Sequence, residues 1–189
     1  MLIMESSKRD INYKVENVVA SVTLEDRIDL NKLAENCSEA EYDPSQFPGL
    51  VLRLKEPKAA ILVFNTGKMV VTGLRSEEDA PTVVEKIIER IREADIPVKS
   101  QAKIKVQNIV ASGSLGAALD LEIASITLED SLYEPEQFPG LIYRAKNPKV
   151  VFLLFSSGKI VCTGAKKETD VKEAVMRLDR RMEELGIYV

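Results

Sequence analysis

The polar side chains that stand out in these 189 residues come in pairs. Asn17 and Asn108, Thr72 and Thr163, Arg53 and Arg144, Lys68 and Lys159, and the cations Arg75 and Lys166 all lie about 91 positions apart. Amides and hydroxyls supply neutral donors and acceptors, and Arg and Lys supply fixed positive charge. Such a set holds a ligand and makes no bonds. The rest of the inventory agrees. The chain has no His and only two Cys. A Ser-His-Asp or Cys-His nucleophile lacks its imidazole base. Cys37 and Cys162 are too few to build a zinc site and read as reduced core thiols. Carboxylates such as Glu25, Asp26 and Glu129 form no paired acid and base constellation. No enzyme, metal or cofactor is expected.

The pairing belongs to a duplication of most of the chain. Tyr42-Asp-Pro-Ser-Gln-Phe-Pro-Gly-Leu50 returns as Tyr133-Glu-Pro-Glu-Gln-Phe-Pro-Gly-Leu141, and Asn17-Val-Val-Ala-Ser21 returns as Asn108-Ile-Val-Ala-Ser112. The register is held without a gap. A period this long is no solenoid unit, which runs roughly 20 to 50 residues. It suits two similar subdomains about a pseudo-twofold axis: a short loose tail over residues 1–13, a first repeat over 14–98 and a second over 99–189.

Each repeat must place its pairs on a few elements. Residues 15–24 alternate as a strand, with Val15, Asn17, Val19 and Ser21 on one face and Val18, Ala20, Val22 and Leu24 on the other. Residues 29–37 suit a short helix. Pro44 to Gly49 reads as a loop, and 50–55, 59–65 and 68–73 as short strands. The Gly67 and Gly158 turns suit hairpins. Ser76, Asp79 and Pro81 start a longer helix with Val84, Ile87, Ile88 and Ile91 as its apolar stripe. Its second copy spans about 170–185, with Val171, Ala174, Val175, Leu178, Met182 and Leu185. The class is α+β, one sheet with helices on one side.

That arrangement leaves apolar residues without a cover. Ile61 and Val63 face one way, while Ala60, Leu62 and Phe64 face the other. Phe152 and Leu154 likewise oppose Val151, Leu153 and Phe155. Helices cover one face only, so Val19, Leu62, Phe64, Val70 and their mates are exposed. Patches on that scale mark interaction sites, for an external ligand or for a second copy of the chain. The same face carries Asn17, Asn108, Ser21, Thr72 and Thr163, with the paired cations at its margins. An apolar centre, a few donors and a cationic rim suit duplex DNA, with phosphates on the cations and base acceptors on the asparagines.

These residues identify a resemblance. Gln137-Phe-Pro-Gly-Leu-Ile-Tyr-Arg144, Ser157-Gly-Lys-Ile-Val-Cys-Thr-Gly-Ala-Lys166 and their first copies resemble the TATA-box-binding protein family, over roughly residues 15–185. The resemblance implies a saddle, one curved antiparallel sheet with helices on the convex face. It implies minor-groove binding at TATA-box promoter DNA, with Phe47, Phe64, Phe138 and Phe155 wedged between base steps to kink it. It implies base contacts from Asn17, Asn108, Thr72 and Thr163 over an apolar surface of Val19, Val110, Val70, Val161, Leu62 and Leu153. Phosphate contacts fall to Arg53, Arg144, Lys68, Lys159, Arg75 and Lys166. Glu134 and Glu136, in the second Phe-bearing loop, match a site for transcription factor B, through which RNA polymerase is recruited. Glu77, Glu78, Asp79, Glu85, Glu89 and Glu93 make the outer helix mixed or acidic, as in the archaeal branch.

The charge balance sits uneasily with DNA: 26 Lys plus Arg against 30 Asp plus Glu, a net charge of −4. The resolution expected is spatial, with cations around the apolar face and acids on the helices behind it. No stretch approaches a membrane span, and a cytoplasmic, nucleoid-associated protein is expected. The reading from another class is a non-catalytic homo-oligomer that pairs its apolar faces, and the two coexist if the free protein dimerises.

Overall fold

The computed structural model describes Leu2–Ile3 and residues 9–189. It divides into two compact units, Asn17–Gln107 and a second in which residues up to Glu16 join Asn108–Val189. The sequence repeats divide at 98/99, whereas these units divide inside two strands. The expected tail lies partly outside the described residues. The remainder corrects it: Leu2–Ile3 forms strand β1, Ile11 and Tyr13 are buried, and strand β2 (Asn12–Thr23) begins three residues before the alternation suggests. Tyr13 faces inward, so burial phase changes between Tyr13 and Val18, which is why simple alternation misses this end.

In the Asn17–Gln107 unit, β2 is followed by helix α1 (Leu30–Asn36), β3 (Ala40–Glu41), β4 (Leu50–Lys55), β5 (Lys58–Val63), β6 (Lys68–Leu74) and α2 (Asp79–Glu93). The sheet order is β3-β4-β5-β6-β2, antiparallel throughout. The other unit repeats the scheme with β7 (Lys103–Ser114), α3 (Leu121–Thr127), β8 (Ser131–Leu132), β9 (Leu141–Lys146), β10 (Lys149–Leu154), β11 (Lys159–Ala165) and α4 (Glu168–Glu184), ordered β7-β11-β10-β9-β8.

Local chemistry sets the element ends. Asp29 accepts from the Lys32 N–H and Asp120 from the Ile123 N–H, both at 3.0 Å, capping α1 and α3. Each cap contributes about 1 kcal/mol. Ahead of α2, Asp79 accepts from the Ser76 N–H and the Ser76 hydroxyl accepts from the Glu78 N–H, a loosened capping box. Gly67 turns between β5 and β6 with φ +84; a Cβ there would lie 2.3 Å from the Asp26 carbonyl oxygen. Only glycine fits both demands.

In each unit the core lies between the sheet strands and the helices. Ile61, Val63, Met69 and Val71 are covered by Val83, Val84, Ile87 and Ile91, and Phe152, Leu154 and Ile160 by Val171, Ala174, Val175, Leu178 and Met182. Full burial of each large side chain contributes about 1.5–3 kcal/mol. Two stripe residues differ from expectation. Ile88 is half-buried while Val83 takes its place, because the buried arc of α2 runs through Ala80, Val83, Val84, Ile87 and Ile91; Leu185 is half-exposed because it caps α4. Cys37 and Cys162 are both reduced and buried, and burial pushes the Cys162 thiol up to about 12. Among the described residues, no polar or charged side chain lies in the core.

Candidate nucleic-acid interface

The sheet faces away from its helices with residues that are apolar and only half-buried. In the Asn17–Gln107 unit, Val51, Leu62, Val70 and Ser21 lie side by side across β4, β5, β6 and β2. In the other unit Ile142, Leu153, Val161 and Ser112 form the matching row. Here a groove of about 640 Å³ opens along the face, bordered by Lys14, Ser112, Phe155, Lys159 and Val161. The expected outward set of Val19, Leu62, Val70, Val110, Leu153 and Val161 lies on these faces and is half-buried throughout. Val51 and Ile142 complete the rows. Sequence reasoning missed them, although their alternation with buried Leu50, Leu52 and Leu141 carried the signal.

A bulge sets the polarity of each central amide. The β2–β6 register slips between Val18 and Ala20, so that Val19 faces both Thr72 and Gly73; β7 and β11 slip in the same way at Val110, Thr163 and Gly164. An extra residue of this kind bends the strand and frees backbone groups from the ladder. Gly73 and Gly164 adopt φ +90 and +99. The Gly73 N–H donates to Asn17 Oδ1 at 2.8 Å, and the Gly164 N–H to Asn108 Oδ1 at 2.7 Å. With the carbonyl oxygen held by backbone, the amide nitrogen becomes the outward group. It donates to Thr72 Oγ1 at 3.4 Å and to Thr163 Oγ1 at 3.2 Å, contacts long enough to yield to a better acceptor. Asn17 and Thr72, and Asn108 and Thr163, are therefore brought together as pairs.

The phenylalanines are also paired. Phe47 meets Phe64 edge-on with ring centroids 6.0 Å apart, and Phe138 meets Phe155 in the same way at 6.0 Å. Phe47 and Phe138 are 39% and 38% exposed, so each pair offers one open ring backed by a second. The nearby glycines make room. A Cβ on Gly49 would lie 2.7 Å from Phe47 and 3.0 Å from Phe64; one on Gly140 would lie 2.8 Å from Phe138 and 3.1 Å from Phe155. From sequence alone Gly49 reads only as a turn former. The repeated Phe-Pro-Gly triplet was the available signal.

Arg53, Arg144, Lys68, Lys159, Arg75 and Lys166 are exposed, Lys68 and Lys159 at strand starts, Arg53 and Arg144 within strands, and Arg75 and Lys166 just beyond strand ends. Glu134 and Glu136 are exposed in the loop that carries Phe138. Two further polar contacts escaped the sequence reading. The Ser112 hydroxyl donates to Glu16 at 2.6 Å, and the Gln107 amide donates to the Ser21 hydroxyl at 2.8 Å. Glu16 and Gln107 occupy matching places in the two repeats, just before Asn17 and Asn108. Among the described residues, no cluster of three or more carboxylates or thiols is placed to hold a metal ion, and no helix is long and apolar enough to cross a membrane.

A family model described as "Transcription factor TFIID (or TATA-binding protein, TBP)" matches residues 12–94 and again residues 103–185. The chain belongs to this family. The TATA-box-binding protein of Pyrobaculum islandicum is 53% identical over 175 residues, spanning 93% of this chain and 88% of that protein. That of Archaeoglobus fulgidus is 51% identical over 181 residues, 95% of this chain and 99% of that protein. The solved structure of Methanococcus jannaschii TBP superposes with a TM-score of 0.84 at 46% identity, covering 92% of this chain and 99% of that one. The fold is TATA-binding-protein-like, and the chain is of the archaeal type.

Proposed function

We propose that the protein is a non-catalytic general transcription factor that binds TATA-box promoter DNA through the minor groove. The observation that carries this is the pair of Asn amides held by bulge glycines, each turning a donor outward from an apolar face. Minor-groove edges of A·T pairs offer only the acceptors A N3 and T O2. The G amino group would meet the apolar rows instead. Phe47 with Phe64, and Phe138 with Phe155, wedge between base steps; unstacking costs roughly a few kcal/mol per step, and flexible TA steps lower that cost. Thr72 and Thr163 back the asparagines. Arg53, Arg144, Lys68, Lys159, Arg75 and Lys166 take phosphates. Each repeat, 14–98 and 99–189, supplies half of this set.

Glu134 and Glu136 offer carboxylates to transcription factor B, which brings RNA polymerase to the promoter, and the protein works at the nucleoid. The exposed apolar rows favour a second property: off DNA, two copies cover these faces by dimerising. The deciding experiment is a gel shift on an A·T-rich TATA duplex against a G·C-rich one over a salt series. Tight, salt-sensitive binding to the first alone is expected, and indifference to sequence would sink the proposal.

A further inference from the structure

In the unit containing Asn108–Val189, a cavity of about 290 Å³ opens on the helix side of the sheet, between α4 and the end of β9. Its floor is aromatic: Tyr143 stacks on Phe152 with centroids 6.5 Å apart and planes 12° apart. Lys146, Arg177 and Arg181 stand around it with Arg144, against the two carboxylates Glu129 and Asp130, so cations are in excess. At about 30 Å³ per water, the space holds about ten waters or one large side chain with its flanking backbone.

The matching place in the first repeat is built differently. There Leu52, Ile61 and Val83 replace Tyr143, Phe152 and Ala174, so the floor is aliphatic and the helix residue larger. Lys86, the mate of Arg177, donates to the Glu56 carbonyl at 2.6 Å, and Arg90, the mate of Arg181, reaches Glu39 at 3.6 Å. Lys86 thus crosses from its helix to the β4–β5 turn, and Arg90 reaches Glu39 in addition to Glu93 on its own helix at 3.0 Å. In the second repeat Arg177 turns to Glu173 at 2.6 Å and Arg181 to Glu184 at 3.6 Å, along their own helix. Lys146 meets Asp130 at 2.8 Å, with both side chains exposed. Exposed pairs of this kind are weak and exchange readily for an incoming carboxylate.

We propose that this cavity docks a protein segment presenting one aromatic side chain between carboxylates. The ring lies against half-buried Tyr143, which fully buried Phe152 backs from the core, and the carboxylates take Lys146, Arg177 and Arg181. The stacked floor selects the ring, and the cations select its neighbours. The site opens on the helix side of the sheet and shares only Arg144 with the proposed phosphate set, so both can be filled together. Arg144 also borders the cavity and is left unchanged in the test because it belongs to the proposed phosphate set.

The probe is a fluorescein-labelled twelve-residue peptide with a central Phe flanked by Asp and Glu, titrated with the full chain and read by fluorescence anisotropy. Saturable binding is expected, unchanged by a saturating TATA duplex. It should weaken at least tenfold when the peptide Phe becomes Ala, and at least tenfold in a Lys146→Glu/Arg177→Glu variant with unaltered circular dichroism. If that variant does not fold, Tyr143→Leu, which installs the first repeat's residue, should weaken binding severalfold. Absence of binding, equal binding of the Ala peptide, or displacement by the duplex would each overturn the proposal.

Discussion

The hydrogen bond from the Gly164 N–H to Asn108 fixes which end of the amide meets a ligand. Asn108→Asp keeps the acceptor for Gly164 and removes the outward donor. We expect an intact fold by thermal melting and a loss of about 1–3 kcal/mol in binding to A·T-rich duplex, measured by titration. The aromatic pairs give a separate prediction. Phe155→Ala removes one half of an edge contact worth about 0.5–1.5 kcal/mol. DNA bending measured by end-to-end energy transfer should fall sharply, with a small change in melting midpoint; global unfolding would place that ring in the core. At this scale the sequence was legible where strand parity speaks: the outward place of Leu62, Leu153, Phe64 and Phe155 followed from alternation with buried Ile61 and Phe152. The orientation of Asn17 and Asn108 was not, because it depends on a backbone N–H from another strand.

The loops and linkers have their own tests. Gly140→Ala places a Cβ against Phe138 and Phe155, so the rings must shift. Bending and affinity should drop severalfold, while stability changes by about 1 kcal/mol. The linker after α2 is tied down by Asp26, which accepts from the Ser100 hydroxyl and from the Ser100 and Lys99 N–H groups. The Ser100 hydrogen bonds, first from the hydroxyl, hold the Asp26 carboxyl below its ordinary 3.8. A lowered folded value means that the stability it contributes is complete above the unfolded value and is lost as pH falls below it. Asp26→Asn should therefore melt lower than the parent at neutral pH, and the difference should shrink as pH drops below 3.8. The hairpins and helices were readable from Gly, Pro and apolar spacing. The early start of β2 and the bulges at Gly73 and Gly164 were not, since both arise from pairing between strands distant in sequence.

For the whole molecule, the net charge of −4 is an average over unlike surfaces. Six cations at the margins of an apolar face predict a slope of log K against log salt of about −5, taking about −0.9 per phosphate contact. Alanine at any one of them should lower that slope by about 1 without altering base preference. Sedimentation at rising concentration should show self-association of the free chain, reversed by duplex. The bulge hydrogen bonds carry one further consequence, for direction. Held by Gly73 and Gly164, both asparagines present donors, and A·T and T·A pairs present the same acceptors to them. On the proposed mode of binding, the two amides would read the same element equally well from either end. A start signal needs an arrow, and the arrow has to come from positions where the repeats diverge, such as Glu16 against Gln107 or Asn65-Thr66 against Ser156-Ser157, or from a second protein that touches only one of them.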